Sequence, residues 1–431
     1  MLQSNMAVNQ QGHFVFAGRD TVELAKKYGT ALYLIDEDRV RGNCRQYVHT
    51  MRSCMPAGSV PLYASKALCY KQMMRVIEEE GMCADVVSAG ELYTALAAGF
   101  PAERIYFHGV TKTDEDIAYA LDNKIGYFII DSYEELYALD RLAGERGMRQ
   151  RALLRLTPGI DPHTFAAVNT GKVDCQFGVP IETGQAREFV RETLNCKNVE
   201  LMGYHCHIGS QIFDAQPFCD AVDIMLGFTA MIRDELGFVS SVLDLGGGFG
   251  VRYVETDPHV DIPACIRRVS AHLEEGCIQR GLPVPVVLME PGRSIVADAG
   301  ITLYTVGSVK EIDGYRSYVT VDGGMSDNPR YALYCSEYTA IMANKADQPA
   351  DYLCSIAGRC CETGALIQEN VYLQQPTRGD ILAVMVTGAY NYSMASNYNR
   401  LRRLPIVMLH GNEDYVAVRR ETFEDLLNCD L

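Results

Sequence analysis

Apolar and polar positions divide the chain into two textures. From about residue 60 to 293, short β-prone runs alternate with stretches of helical periodicity. The runs are 60–65 (VPLYAS), 83–88 (CADVVS), 104–109 (RIYFHG), 127–131 (YFIID), 151–157 (RALLRLT), 201–208 (LMGYHCHI), 241–246 (SVLDLG) and 286–290 (VVLME). Helical segments such as 71–80, 133–147 and 218–237 lie between them. Eight such alternations predict an α/β architecture, a (β/α)8 barrel. A doubly wound open sheet would alternate in the same way, but it would gather its polar residues at one switch point. Here they are scattered over many strand ends, which favours the barrel. After about residue 298 the runs ITLYTVGSV, RSYVTVDGG, DYLCSIAG, DILAVMVTG, LPIVMLHG and DYVAVRRE follow one another with turns and few helices. They predict a β-rich domain. The N-terminal runs HFVFAG and ALYLID are also strand-like. The expected division is a barrel over 37–298 and a β-rich domain from 1–36 and 299–431.

Composition narrows the function classes. With 431 residues, 48% hydrophobic and 22% charged, the chain has enough apolar material for two cores. A net charge of −16 argues against a nucleic-acid or anionic-membrane surface, which needs a basic field. No apolar run reaches membrane-spanning length, and MLQSNMAVNQQ lacks the basic-then-apolar pattern of a signal peptide. Fifteen cysteines, an odd count without regular spacing, read as reduced cytosolic thiols.

Candidate chemistry collects at the strand ends, which form one face of a barrel. Lys66 follows the first strand in PLYASKAL. An ammonium there is expected to lose hydration, and a lysine that is neutral part of the time can form an imine with an aldehyde. Strand-terminal lysines also snorkel to water, so this octamer leaves both readings open. Asp85 lies on the second strand, His108 ends the third, and Arg155 sits near the end of the fifth. His205 and His207 end the sixth, and strand alternation sets them on one face. They could chelate zinc, although no third ligand is evident. Alternatively one imidazole stacks on a flat cofactor while Ser210 offers a hydroxyl to a phosphate. Gly246, Gly247 and Gly248 end the seventh strand, where backbone N–H groups can approach an anion. Glu290-Pro-Gly-Arg293 ends the eighth. Glu290 suits a protonated pyridine nitrogen, and Arg293 suits a phosphate or carboxylate; a structural ion pair is the plainer reading. The β-rich part adds Arg330 and Tyr334, the trio Cys360-Cys361-Glu362, and Tyr390.

Taken in order, YASKA, HCHIGSQ, GGGFG, EPGR, MSDNPR-x-ALY, CETG and GAYNYSMASNYN resemble the diaminopimelate decarboxylase family, fold-type III (alanine-racemase-like) enzymes that use pyridoxal 5'-phosphate (PLP). The resemblance spans roughly residues 28–427. It implies a barrel plus a β-rich domain, a cytoplasmic homodimer with shared sites, and decarboxylation of meso-2,6-diaminopimelate to L-lysine and CO2. Lys66 would carry PLP, Asp85 would lie near it, Arg155 near its ring, and His207 would stack on the ring face. Ser210, Gly247, Gly248 and the Gly292–Arg293 segment would hold the phosphate with Tyr390, and Glu290 would pair with the pyridine nitrogen. Arg293, Arg330 and Tyr334 would bind the distal carboxylate of the substrate. Cys361 would donate a proton and Glu362 would bind the distal ammonium, both across the subunit interface.

The chain departs from the family pattern at Thr363 and Ala365, where CESGD reads CETGA, at Leu68, where an asparagine is common, and at Tyr331, where a proline is usual. None of these removes a group with an assigned role. The alternatives are a sister decarboxylase for ornithine, arginine, carboxynorspermidine or a carrier-bound amino acid, a non-catalytic PLP-binding homologue, and a zinc-dependent barrel hydrolase. A distal amino-acid head calls for a guanidinium and an acid together, which Arg330 and Glu362 supply.

Overall fold

The computed structural model describes residues 3–160 and 174–431. They form two compact units, one from 43–250 and 259–292, the other from 1–42, 251–258 and 293–431. The sequence reading set its divisions at residues 37 and 298.

The first unit is a closed parallel barrel. Its strands are β1 (Val60–Ala64), β2 (Cys83–Val86), β3 (Ile105–Phe107), β4 (Tyr127–Ile130), β5 (Gln150–Thr157), β6 (Val199–His205), β7 (Val242–Asp244) and β8 (Val286–Met289). Each pairs with the next, β8 pairs with β1, and all eight run parallel. All eight expected runs became strands. Between them lie α1 (Lys71–Glu79), α2 (Ala89–Ala97), α3 (Asp114–Asp122), α4 (Tyr133–Glu145), α5 (Gln185–Asn195), α6 (Gln216–Leu236) and α7 (Ile262–Arg280). Local chemistry sets their ends. Ser88 and Ser132 cap α2 and α4 by accepting the N–H of Glu91 and Glu135, and Thr113 and Asp116 form a reciprocal capping box on α3. Gly237 and Gly281 end α6 and α7 in the left-handed conformation.

The barrel interior is layered. Leu62, Cys83, Tyr106, Ile129, Leu153, Val242 and Leu288 form one buried apolar cluster, one residue from each of seven strands. Side chains two apart on a strand share a face. Two residues further along the chain stand Asp85, His108, Asp131, Arg155, Asp244 and Glu290. Every strand but β1 and β6 thus goes from an apolar layer to a polar one in a single step of two. Strand β6 carries a register shift between Leu201 and Gly203 and ends at His205.

In the second unit the main sheet runs Leu366–Leu373, Tyr352–Ala357, Arg316–Val321, Gly300–Ile312, Leu32–Asp36, Ile406–His410 and Glu413–Val418. Ile381–Met385 also pairs with Gly300–Ile312. The run ALYLID thus enters this sheet at its centre, parallel to Ile406–His410. HFVFAG does not; Phe14–Phe16 pairs instead with Met6–Val8 and Arg19–Asp20 in a small antiparallel sheet.

Candidate active site

The polar layer of the barrel converges on Glu290. Its Oε1 lies 2.9 Å from His108 Nε2 and 3.3 Å from His205 Nε2. His205 Nε2 is in hydrogen-bonding contact with Oε2 at 3.4 Å. The two imidazoles meet edge to face with centroids 5.0 Å apart, and His108 Nε2 also lies 3.7 Å from Asp85 Oδ1. All of these side chains are buried.

Burial alone would raise the Glu290 carboxyl, but His108 and His205 outweigh it and hold it well below the usual carboxylate range. Burial drives His205 down to about 4 against the pull of Glu290, so at neutral pH it is uncharged. Burial, and then the Glu290 charge, pushes Asp244 well above its ordinary value. Asp244 Oδ1 accepts the Gly246 N–H at 2.9 Å. Burial also raises Asp85, with His108 opposing. The environments of the three acids thus push in opposite directions, Glu290 toward its ionised form and Asp85 and Asp244 away from it.

Five buried atoms of this layer have no hydrogen-bond partner among the described residues, Asp85 Oδ1, His108 Nε2, Asp131 Oδ2, Asp244 Oδ2 and Glu290 Oε1, and neither does His205 Nδ1 beside them. His108 Nε2 and Glu290 Oε1 face each other as an ion pair at 2.9 Å. Orphaned atoms in a buried layer mark where a polar ligand fits. The glycine turn after β7 is built for close approach. A Cβ on Gly247 would come 2.1 Å from the Glu290 carbonyl oxygen, and one on Gly248 (φ +130°) 2.5 Å from the Gly209 carbonyl oxygen. The Ile212 N–H donates to the Gly248 carbonyl at 2.9 Å, which lays the Ser210 segment beside this turn. Gly292 packs as closely, its Cβ position 3.0 Å from that of Ala64.

Lys66 occupies the turn Ser65–Ala67 directly after β1, between two fully buried neighbours. Its own side chain is exposed, a correction to the expected loss of hydration. Asp85, Glu91 and His207 all feel its charge. His207 is half-buried; burial, then the charges of Lys66 and Arg155, lower it well below its ordinary value. It lies beyond the last residue of β6, and among the described residues the groups close enough to share a cation are His108, His205 and Glu290, not the His205 and His207 of the zinc reading. Arg155 is held from one side by Asp131, 3.7 Å from its Nε, and from the other by the Phe177 ring, 4.5 Å from its Cζ. Asp131 is fixed in turn. Its Oδ1 accepts the Gly178 N–H at 2.8 Å, and its own N–H donates to Glu135, the buried ion-pair partner of Lys112.

The second unit holds a cationic cluster of its own. Arg293 donates to the Tyr253 hydroxyl at 2.7 Å and lies 4.8 Å from the Tyr390 ring centroid. Arg330 lies 4.8 Å from the Tyr253 centroid and donates to Tyr338 at 3.0 Å and Ser336 at 3.2 Å. Both guanidiniums are buried. Burial would raise the Tyr253 phenol, but Arg293 and Arg330 outweigh it and bring it below its ordinary value. Two buried cations around one phenol form a receptor for carboxylate or phosphate. Tyr334 does not join it; it is 44% exposed on the short helix Arg330–Tyr334, and the hydroxyl beside Arg330 belongs to Tyr338. Cys361 and Glu362 lie in an exposed loop. The Ala365 side chain is buried, a setting in which a carboxylate would need a partner.

The sequence reading passed over Asp131, Asp244, Tyr253 and Tyr338. The step of two from the apolar layer would have found both aspartates. The tyrosines carried no signal until the arginines were placed.

Residues 41–297 match the pyridoxal-dependent decarboxylase, pyridoxal binding domain family. The diaminopimelate decarboxylase of Bacillus subtilis is 44% identical over 98% of this chain and 96% of its own length. That of Staphylococcus aureus is 40% identical over 97% and 98%. The crystal structure of the M. jannaschii diaminopimelate decarboxylase with L-lysine superposes with a TM-score of 0.90 at 31% identity, covering 100% of this chain and 99% of that one. The chain that carries this polar layer around Glu290, with a lysine at its first strand end, matches these relatives over nearly its whole length: this protein is a member of the diaminopimelate decarboxylase family of pyridoxal-dependent decarboxylases.

Proposed function

We propose that the chain uses PLP to decarboxylate meso-2,6-diaminopimelate to L-lysine and CO2, the last step of lysine biosynthesis. The observation that carries this is the ionised Glu290 amid orphaned polar atoms, three residues before a buried arginine that belongs to a second cationic cluster. When bound, PLP supplies an electron sink for the pair left on carbon as CO2 departs. The donor set fits it. Lys66 would hold its aldehyde, and Glu290 would keep a proton on the pyridine nitrogen. His207 would cover the ring, with Asp85 and Arg155 beside it. Ser210, Gly247, Gly248, Gly292, Arg293 and Tyr390 would hold the phosphate.

Arg293 and Arg330 bind the distal carboxylate of the substrate, with the Tyr338 hydroxyl beside Arg330, and Glu362 takes the distal ammonium. As the Cα–carboxylate bond breaks, the Cys361 thiol delivers one proton to that carbon. The thiolate then recovers a proton from solvent before the next turnover.

The test is a substrate panel on the purified holoenzyme. Meso-diaminopimelate should yield equal amounts of lysine and CO2, while ornithine and arginine, which lack the second carboxylate, should turn over at least about a hundredfold more slowly, the scale for a charged site left unpaired. Turnover of ornithine or arginine without diaminopimelate would replace this reading with the sister decarboxylase.

A cytoplasmic homodimer with shared sites is the assembly we propose. All fifteen cysteines are free, and no helix among the described residues is long and apolar enough to cross a membrane. Cys361 and Glu362 are exposed on the single chain, as expected of groups that complete a site on a partner subunit. Mixing inactive Lys66→Ala and Cys361→Ala subunits should therefore restore up to about a quarter of wild-type activity by re-forming one intact site in half of the dimers. No recovery after verified subunit exchange would place Lys66 and Cys361 in the same subunit's site.

A further inference from the structure

The motif GAYNYSMASNYN gives the proposed function only Tyr390, and its second half is left without a role. We infer that Asn399 and Tyr398, at the end of this motif, are positioning residues that set the Cys361–Glu362 loop for proton delivery and for reading the distal ammonium. The inference rests on the roles proposed above for Cys361 and Glu362.

Residues 361–364 are exposed and hold themselves together chiefly by short-range bonds. The Glu362 N–H donates to the Cys360 carbonyl at 2.9 Å, the Thr363 N–H to Glu362 Oε1 at 2.9 Å, and the Ala365 N–H to the Glu362 carbonyl at 3.1 Å. None of these fixes the loop against its surroundings. Two contacts do. The Cys361 N–H donates to Asn399 Oδ1 at 2.8 Å, and the Tyr398 hydroxyl donates to Glu362 Oε2 at 3.4 Å. One grips the backbone of the acid, the other the carboxylate of the ammonium reader.

The turn that provides them is itself well anchored. Asn397 Nδ2 donates to Glu421 Oε2 at 2.6 Å and to the Leu401 carbonyl at 3.0 Å. The Ser396 N–H donates to the Ser326 carbonyl at 2.9 Å. Arg400 reaches the Leu426 carbonyl and Asp430, each at 2.7 Å. Asn399 adopts φ +53° and ψ 24°, a left-handed conformation that asparagine tolerates better than most residues. That geometry aims the amide oxygen at the Cys361 N–H. An exposed loop thus takes its position from a braced turn through two side chains, one for each functional residue.

The two contacts should separate kinetically. Asn399→Gly keeps the left-handed backbone and removes the acceptor, so in the holoenzyme it should lower kcat by about tenfold to a hundredfold, the scale for a misplaced reacting group, with KM for meso-diaminopimelate nearly unchanged. Asn399→Asp, which retains an acceptor oxygen of the same shape, should recover kcat to within about threefold of wild type. Tyr398→Phe should raise KM by about threefold to tenfold and leave kcat within twofold. The visible cofactor band should be unaltered in all three, and amide hydrogen exchange at Cys361 should quicken only in Asn399→Gly. Wild-type kcat in Asn399→Gly, or failure of Asn399→Asp to restore it, overturns the inference. If the glycine variant does not fold, Tyr398→Phe with unchanged KM overturns it equally. Cys361→Ala, run in parallel, separates the levels. If it slows turnover and Asn399→Gly does not, the inference alone fails; if Cys361→Ala is as fast as wild type, the acid is misassigned and the inference falls with it.

Discussion

Replacing Lys66 with alanine should abolish the visible absorption band of the lysine-bound cofactor and reduce turnover by roughly three orders of magnitude or more, the loss seen when a covalent catalytic group is removed. The position itself explains the size. Lys66 sits in the turn that ends β1, with Ser65 and Ala67 fully buried on either side, so its backbone cannot drift. Its charge is felt by Asp85, Glu91 and His207, which come from the ends of the next strand, the helix after it, and the segment following β6. Lys112 is locked to Glu135 at 2.7 Å and to the Gly109 and Ile129 carbonyls. It therefore cannot take over, and added amines should rescue the variant only partly. A variant with an unchanged spectrum would remove Lys66 from the cofactor.

The barrel was legible because its strands are short apolar runs whose polar residue arrives at a fixed offset. Leu288 and Glu290, Leu153 and Arg155, and Cys83 and Asp85 repeat one rule, apolar then polar two residues on, and alternation turns it into two stacked layers. The direction of Lys66 was not legible. The burial of β1 suggested a desolvated ammonium, but the strand ends at Ala64 and the lysine emerges from a turn. The second cationic cluster was only half readable. Arg330 and Arg293 announce a receptor for an anion, yet whether Tyr334 or Tyr338 accompanies Arg330 depends on how the chain leaves the short helix, where Cys335 turns it through φ +52°. Asn399 was hidden for the same reason, because its partner is a backbone N–H 38 residues away, and no local pattern records such a bond. HFVFAG misled because a strand pattern does not name its sheet.

Glu290→Gln should cost about a hundredfold to a thousandfold in kcat, and it should weaken cofactor binding, because breaking a buried charged pair costs about 3–5 kcal/mol. The carboxylate is held toward its ionised form by His108 and His205 against its own burial. Burial, which comes first in raising Asp244 and Asp85, is left in place by the substitution and opposes either of them taking over the lost charge. Glutamine preserves the shape and one acceptor oxygen, but it turns an NH2 group toward His108 or His205, and it cannot keep a proton on a pyridine nitrogen. The histidines then face one acceptor oxygen and one NH2 donor in place of two charged acceptor oxygens, and lose the carboxylate charge. The sign of the pH effect follows from His205. Its pKa, driven down to about 4 by burial and pulled up by Glu290, should fall further once the carboxylate is gone. The variant therefore cannot restore the missing interaction by protonating this imidazole anywhere in the neutral range, and its deficit should stay flat from about pH 6 to pH 8. The measurements are kcat and the PLP dissociation constant across that range. A deficit that vanishes on mild acidification would mean that another group supplies the charge. Wild-type values throughout would show that the pyridine nitrogen does not face Glu290, and would detach the polar layer from the chemistry.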